Sequence, residues 1–327
     1  MINETPLISV LLCTYNPEPE YFKAAINSVL NQTYFNLELI IVNDGSSTDV
    51  SALIEEIKDE RIVFIDNKVN KGLTRCLNQG LVQCNGEYIA RMDDDDICEN
   101  NRLERQLEAF IRDERINVLG CDVWVFGDES RVSHYLLKAT REEQQIDLFF
   151  KNVAVPHPSV MIRRSFLQKY ELKYNENYVK AQDYGLWVDC VQHDRLYCLS
   201  EVLLRYRVHQ QQASKKNREQ QIKSQNFVRK EQLSRLGIIS TESEMKIHAS
   251  FCEGVTSMDF KEFNLLGKWI LKLEKGNRIS AYLNHKLFKR ELGMRFAVIL
   301  LQKMKTNVSI LLVAIRYFRI ILWNFCL

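Results

Sequence analysis

Short apolar runs of strand length alternate with amphipathic segments of helical period through the first hundred residues. "LISVLLC" (7–13) is a continuous apolar run, which is typical of a strand buried on both faces. The segment after it, "PEPEYFKAAINSVLNQ", places its apolar residues on one helical stripe: Tyr21, Phe22, Ala25, Ile26, Val29 and Leu30. This alternation predicts an α/β fold, with a mostly parallel sheet flanked by helices.

The same strand and helix unit is repeated along the chain. Further strands are predicted in "LELIIVND" (37–44), "RIVFID" (61–66) and "GEYIARM" (86–92), with helices from about Asp49 and over about 72–84. Each strand ends in polar residues: "TYN" (14–16), "ND" (43–44), "DN" (66–67) and "DDDD" (93–96). Because ligands bind outside the carboxyl ends of such strands, the sequence predicts a polar ligand site at this edge.

Length and composition restrict the class of protein. A chain of 327 residues can form one large domain with an appendage, or two modest domains. With 44 Lys and Arg against 42 Asp and Glu, the net charge of +2 indicates no nucleic-acid partner. Nine cysteines without a C-x-x-C pair indicate a reducing compartment, so we expect a cytoplasmic protein. "MINETPLISVLLCTYN" has no basic segment before its apolar run, which favours a strand over a signal peptide.

The four consecutive aspartates at 93–96 need an explanation, because two unit charges 4 Å apart repel by about 1 kcal/mol in water. A hard cation such as Mg²⁺ or Mn²⁺ would relieve that repulsion, and Mg²⁺ usually binds one or two carboxylates together with phosphate oxygens. This favours a metal-bound diphosphate as the ligand. A solvated loop without a ligand is the alternative. The spacing excludes a calcium hand, and neither a P-loop nor a G-x-G-x-x-G motif occurs.

Several motifs, in order, resemble the family 2 glycosyltransferases with the GT-A fold, from about Leu7 to about His209. They are "VLLCTYNP", "IIVNDGSSTD", "NKGLTRCLNQG", "GEYIARMDDDD" and, further on, "AQDYG" and "YRVH". The resemblance implies a nucleotide-sugar donor, most simply a UDP-sugar. The donor-binding residues that it implies, together with two cationic candidates for the diphosphate, are Thr14, Tyr15, Asn16, Asp44, Lys71, Gly72, Arg91, Asp93 and Asp94. For Asp44, the residues alone equally allow a carboxylate that closes its own turn.

The family's D-x-D motif maps onto Asp93, Asp94 and Asp95. The resemblance implies that Asp93 faces the ribose and the metal and that Asp95 ligates Mn²⁺ or Mg²⁺, with Asp94 at the variable position. Asp96 would then only shape the loop. His209 in "YRVH" resembles the family histidine that approaches the metal and the diphosphate, although a surface or capping histidine would also fit the residues.

Asp183 in "AQDYGLWVDCV" matches the position of the family's catalytic base. Periodicity alone would instead make it a helix N-cap, because the apolar stripe begins directly after it. Gln182 departs from the glutamate often found before the base, which removes a neighbour that could change the base's pKa. His157 in "VPHPSVMIRR" resembles the strand at the family's acceptor site. One base and a single displacement imply inversion at the anomeric carbon.

The composition changes at about Ser214, so we predict a catalytic domain over 1–213 and a helical C-terminal region over 214–327. Between Lys286 and Arg319 basic residues are interleaved with apolar runs, and Glu291 is the one acidic residue. This composition favours a helix in the headgroup plane of a membrane. Spanning is disfavoured, because Arg316 and Arg319 would each cost about 2.5–3.5 kcal/mol on insertion. An ordinary helix packed on the catalytic domain is the alternative.

These features together predict a peripheral enzyme on the inner face of a bacterial cytoplasmic membrane. It would move a hexose or N-acetylhexosamine from a UDP-sugar to a hydroxyl of a saccharide, expected to be lipid-diphosphate-linked, in surface polysaccharide synthesis. Transfer to a polyprenyl phosphate or to a teichoic-acid-like polymer remains open. A non-catalytic scaffold that binds a sugar nucleotide or a metal is the alternative from a different class.

Overall fold

Four strands within residues 8–93 form the parallel part of a sheet. In the computed structural model, which describes residues 5–209, 218–254 and 258–304, these strands lie side by side in the order β3-β2-β1-β4 and all pair in parallel. Their bounds are β1 (Ile8–Thr14), β2 (Leu37–Asp44), β3 (Ile62–Asn67) and β4 (Tyr88–Asp93). The α/β prediction is confirmed, and each predicted strand begins within two residues of its observed start.

The second half of the sheet makes it mixed. β8 pairs antiparallel with both β4 and β6, β9 runs parallel to β6, and the short strands β5 and β7 add antiparallel edges. The bounds are β5 (Ile97–Cys98), β6 (Val118–Gly127), β7 (Arg131–Ser133), β8 (Met161–Arg163) and β9 (Tyr197–Val208). The sheet is therefore parallel where the donor motifs lie and mixed beyond β4.

Helices flank this sheet and form the C-terminal part of the chain. Those of the first part are α1 (Pro19–Leu30), α2 (Val50–Glu55), α3 (Leu73–Gln83), α4 (Arg102–Arg112), α5 (Arg141–Phe150), α6 (Arg164–Lys169) and α7 (Gln182–Cys190), with a 3₁₀ turn at His157–Ser159. The C-terminal helices are α8 (Arg218–Arg235), α9 (Glu242–Glu253), α10 (Phe260–Ser280) and α11 (His285–Met304). The predicted helical C-terminal region is thus present over its described residues.

The core of the sheet domain contains the apolar runs and the apolar helical stripe that the sequence shows. Every residue of β1 is buried, as its continuous apolar run predicted. The stripe of α1 is buried from Phe22 to Leu30, with Tyr21 at its half-buried margin. α3 packs closely on the sheet at Gly80, where a Cβ atom would lie 2.2 Å from Cδ1 of Leu11. α3 therefore packs directly on β1 and β2, the strands that end at Thr14 and Asp44.

The described residues divide into two compact units. One lies within Met1–Lys138 and Ala154–Ser224, and the other lies within Ala139–Val153 and Gln225–Leu327, so α5 belongs to the second unit. There the Gln232 side chain donates to the carbonyl of Leu148, at the end of α5. The predicted boundary after residue 213 falls within 210–217, outside the described residues.

The second unit has a core of its own. Phe149 and Phe150 of α5 contact each other edge to face, and Phe149 makes a similar contact with Phe288 of α11. Within this core Nδ1 of the buried His248 accepts a hydrogen bond from the Trp269 indole at 3.3 Å. Burial lowers the pKa of His248 to about 3, so the ring is neutral.

Two further expectations concern cysteines and membranes. All the cysteines that the structure describes have free thiols. Among the described helices, none combines enough length with enough apolar character to cross a bilayer. The predicted membrane segment extends through Arg316 and Arg319, and its residues from 305 onward lie outside the described part of the chain.

Candidate active site at the carboxyl edge of the parallel strands

The predicted polar edge is assembled by the strand register. Thr14, the last residue of β1, pairs with Asn43 of β2, and its neighbour Cys13 pairs with Asp93 of β4. The side chains that follow these three strands are therefore brought to one edge of the sheet, as predicted from the parallel topology.

The loops after β1 and β2 are joined by hydrogen bonds. Asn16 has a positive φ of 49°, and its Oδ1 accepts from the backbone N–H of Ser47 at 2.7 Å. Its own N–H donates to Oγ of Ser46 at 2.8 Å. The Thr14 hydroxyl donates to Oδ2 of Asp94 at 2.6 Å, while Tyr15 is 53% exposed. Tyr15 therefore presents an open ring beside a tightly connected pair of loops.

Asp44 links β2 to the beginning of α3. Its Oδ1 accepts from the backbone N–H of Lys71 at 2.6 Å, and its Oδ2 accepts from that of Gly72 at 3.0 Å. Gly72 is the N-cap of α3 with a φ of 90°, and the Lys71 ammonium donates to Oδ1 of Asn67 at 2.7 Å. Asp44 does not close a turn of its own. It accepts from the two backbone amides at the start of α3, so neither amide is available to a diphosphate in this arrangement.

The four aspartates separate into two roles. Ligand oxygens of Asp93, Asp95 and Asp96 all lie within 4.8 Å of one another, whereas Asp94 turns to Thr14. Asp96 is completely buried, and its Oδ1 accepts from the backbone N–H of Arg207 at 2.8 Å. Its Oδ2 is buried and has no partner among the described residues. The resemblance implied metal-side roles for Asp93 and Asp95 and left Asp96 only to shape the loop; here the carboxylate of Asp96 lies in the same cluster.

The electrostatics of this loop favour a cation. Burial, with smaller contributions from Asp95 and Asp93, raises the pKa of Asp94 to about 7. Burial and the Asp93 charge likewise raise the pKa values of Asp95 and Asp96. Three converging carboxylates and an unpartnered carboxylate oxygen match the oxygen ligands that Mg²⁺ and Mn²⁺ prefer. These residues therefore fit a divalent metal.

Two basic side chains border the cluster. The buried Arg91 donates through Nη2 to Asp93, while its Nε and Nη1 have no partner in the part of the chain that the structure describes. His209 places Nε2 3.0 Å from Oδ2 of Asp95, with its ring 5.9 Å from that of Tyr21. His209 is thus half-buried against the acidic loop, and its role as a metal ligand stays a prediction.

Asp183 lies in the first turn of α7, but not at its N-cap, which is Ala181. The capping role suggested by periodicity alone is therefore wrong. Asp183 is half-buried, and its charge is among those that act on the Tyr174 hydroxyl. One turn later Trp187 is fully buried, and its indole N–H has no partner among the described residues.

His157 is buried next to the same helix. Its Nε2 lies 2.7 Å from the Tyr174 hydroxyl, and its ring centroid lies 6.0 Å from that of Trp187. Burial, and to a smaller extent the charge of Arg91, lower the pKa of His157, so its imidazole is neutral. Sequence reasoning gave no role to Tyr174, because "LKYNENY" carries no signal apart from its aromatic residues.

Known glycosyltransferases resemble this chain in sequence. The sequence profile of Glycosyl transferase family 2 matches residues 9–171. An uncharacterized glycosyltransferase of Haemophilus influenzae is 30% identical over 242 residues, which cover 70% of this chain and 74% of that protein. The UDP-Glc:alpha-D-GlcNAc-diphosphoundecaprenol beta-1,3-glucosyltransferase WfgD of Escherichia coli is 27% identical over 210 residues, covering 64% of this chain and 79% of WfgD.

A solved structure shows the same fold. The crystal structure of residues 1–349 of Staphylococcus aureus TarS in complex with UDP-GlcNAc superposes with a TM-score of 0.59 at 16% identity, covering 91% of each chain. The parallel strands, the acidic loop after β4 and these relatives define a glycosyltransferase with the GT-A fold. The chain belongs to the family 2 glycosyltransferases.

Proposed function

We propose that this glycosyltransferase moves a hexose or N-acetylhexosamine from a UDP-sugar to a hydroxyl of a saccharide, with inversion at the anomeric carbon. The observation that carries the proposal is the cluster of Asp93, Asp95 and Asp96 at the carboxyl edge of the parallel strands. A scaffold that only binds nucleotides would not need a base, whereas the proposed transfer assigns that role to Asp183, whose charge acts on the buried Tyr174 hydroxyl together with that of Arg91.

The donor would bind along the loops that the strand ends bring together. Thr14, Tyr15 and Asn16 would contact the nucleoside, and the exposed ring of Tyr15 offers a surface for stacking. Asp44 would read the base with lone pairs not used by the α3 amides. Lys71 and Arg91 are the cationic candidates for binding the diphosphate, and the amide of Gly72 holds Asp44 in place. Asp93 and Asp94 complete the donor-binding set.

Asp93, Asp95 and Asp96 would hold a divalent Mn²⁺ or Mg²⁺, with His209 against Asp95 as a further candidate ligand. When bound, such an ion neutralises the charge that develops on a departing diphosphate. Asp183 would accept the proton of the attacking hydroxyl, which requires hydrogen-bond distance to that hydroxyl. Attack opposite the leaving group in a single displacement inverts the anomeric centre.

The acceptor is proposed to be a lipid-diphosphate-linked saccharide, because WfgD is named for such an acceptor and resembles this chain over most of its length. The basic and apolar composition after Lys286 supports contact with a membrane surface, which would place the site near a lipid-linked acceptor. This gives a peripheral protein at the cytoplasmic face of the membrane.

Calorimetric titration with UDP, in the presence and absence of Mn²⁺, tests the donor site. We expect binding of UDP that requires Mn²⁺ and is lost in Asp95→Ala, because the cluster then has two carboxylates. Asp113→Ala is the matched control, since Asp113 pairs with Arg115 after the end of α4. UDP binding that is unchanged by Mn²⁺ in the unmodified protein would contradict the metal-dependent site. GDP is titrated in the same way, and tighter binding of GDP than of UDP would show that the donor is a GDP-sugar.

A further inference from the structure

Arg207, near the end of β9, contacts the acidic loop at Asp95 and Asp96. We propose that Arg207 is a positioning residue that fixes Asp95 and Asp96 in the arrangement that binds a divalent cation. The inference rests on the proposed metal-dependent function but assigns a role to a residue outside the carboxylate cluster.

Two aromatic rings hold the guanidinium of Arg207. Its central carbon lies 3.9 Å from the ring centroid of Tyr21, on α1, and 4.4 Å from that of Phe126, on β6. A lysine ammonium can also make a cation–π contact, but only the guanidinium combines it with planar stacking and a fixed fork of N–H donors. The side chain is therefore held between two elements of the sheet domain, and its hydrogen-bonding groups have a fixed direction.

Arg207 makes two hydrogen bonds to consecutive residues of the acidic loop. Its side-chain Nε donates to the backbone carbonyl of Asp95 at 2.7 Å, and its backbone N–H donates to Oδ1 of Asp96 at 2.8 Å. The second bond leaves Oδ2 of Asp96 as the oxygen available to a cation. Two residues later, His209 contacts the Asp95 carboxylate. The end of β9 thus determines where two of the three clustered carboxylates point.

The direction of the change in metal affinity distinguishes a positioning role of Arg207 from a purely electrostatic one. A cation near the cluster repels a divalent metal, so removing the charge of Arg207 should by itself tighten metal binding. Loss of the hydrogen bond to the Asp95 carbonyl and of the stacked guanidinium should weaken it, because the carboxylates would no longer be held together. Residues that orient metal ligands typically change metal affinity by about 10- to 100-fold when they are replaced.

The test compares Arg207→Met, Arg207→Lys and Phe126→Leu, with Arg205→Met as the matched control. Arg205 lies two residues earlier on the same strand and pairs with Glu99 at 2.6 Å. Mn²⁺ affinity of the nucleotide-free protein is measured by titration calorimetry. Amide hydrogen exchange of the peptide covering 93–98 is measured without metal.

We expect the Mn²⁺ dissociation constant to rise about tenfold or more in both Arg207 variants, and less in Phe126→Leu, where one ring is lost. Exchange of the 93–98 peptide should be faster in both Arg207 variants, and Arg205→Met should match the unmodified protein in both measurements. An Mn²⁺ affinity that is unchanged or higher in Arg207→Met overturns the proposal.

Failure of the proposed metal-dependent function can be distinguished from failure of the role assigned to Arg207. If the unmodified protein binds no Mn²⁺, metal dependence is wrong, and the exchange measurement alone decides whether Arg207 orders the loop. Unchanged exchange in Arg207→Met and Arg207→Lys would then overturn the positioning role. A merely structural role would lower thermal stability without changing Mn²⁺ affinity at a temperature where the variants are folded.

Discussion

At the scale of single residues, Gly45 controls the position of Asp44. Gly45 has a φ of 69°, and a Cβ atom built on it would lie 2.4 Å from the carbonyl carbon of Val69 and 2.6 Å from the nitrogen of Asn70. The loop after β2 therefore passes against the backbone that precedes α3. This close approach is what allows the Asp44 carboxylate to reach the amides of Lys71 and Gly72.

Gly45→Ala is predicted to be strongly destabilising. The left-handed conformation alone costs a residue with a Cβ about 1–2 kcal/mol, and the collision with backbone adds about 1–3 kcal/mol. Gly237→Ala is the control, since Gly237 has a φ of 70° with nothing within 4 Å of its Cβ position. Urea unfolding of each unit measures both costs. Equal losses in the two variants would show that the backbone contact at Gly45 does not constrain the loop.

Sequence patterns identify residues whose role is local, but not those whose role depends on burial. Asp93 and Asp95 follow a predicted strand, so their place at the sheet edge could be anticipated. Arg102 could not: it is fully buried and donates to the carbonyl of Arg91 at 2.9 Å, yet "NRLERQL" has the composition of a solvated helix start. Tertiary contacts alone show that this cation supports the strand leading to the acidic loop.

At the scale of elements, the parallel strands were predictable and the antiparallel ones were not. β1 and β2 are long apolar runs buried on both faces, which gives a strong local signal. β8 has three residues and β5 has two, so neither extends over enough residues for periodicity to be recognised. The assignment of α5 to the second unit could not be predicted either, because a helix in the middle of the chain carries no local signal of the unit on which it packs.

The C-terminal segment provides the prediction for elements. We expect the full chain to sediment with anionic phospholipid vesicles and a chain that ends at Met304 to remain in the supernatant. The reason is that 305–327 carry Lys305, Arg316 and Arg319 among apolar residues. UDP binding should be retained, since the candidate site residues precede residue 210. Equal sedimentation of both chains would place the membrane contact elsewhere or exclude it.

At the scale of the whole molecule, the chemistry is assigned to one unit. All the candidate donor, metal and base residues, from Thr14 to His209, belong to the first unit, and the second unit contributes a separate hydrophobic core. Motif order along the chain predicted the first assignment, because the family resemblance ended at His209. The division at α5 follows from packing, which motif order does not reveal.

Turnover of UDP-sugars by Asp183→Asn is the most direct test of the account. Release of UDP is followed with Mn²⁺, a panel of UDP-hexoses and UDP-N-acetylhexosamines, and GlcNAc-diphosphoundecaprenol as the acceptor probe. Asp189→Asn serves as the control carboxylate on the same helix. We predict that the turnover of Asp183→Asn falls about 10²- to 10⁴-fold, because a general base contributes a factor of that size. Its affinity for UDP should be unchanged. Full turnover in Asp183→Asn, or no UDP release by the unmodified protein with any donor, would contradict the account.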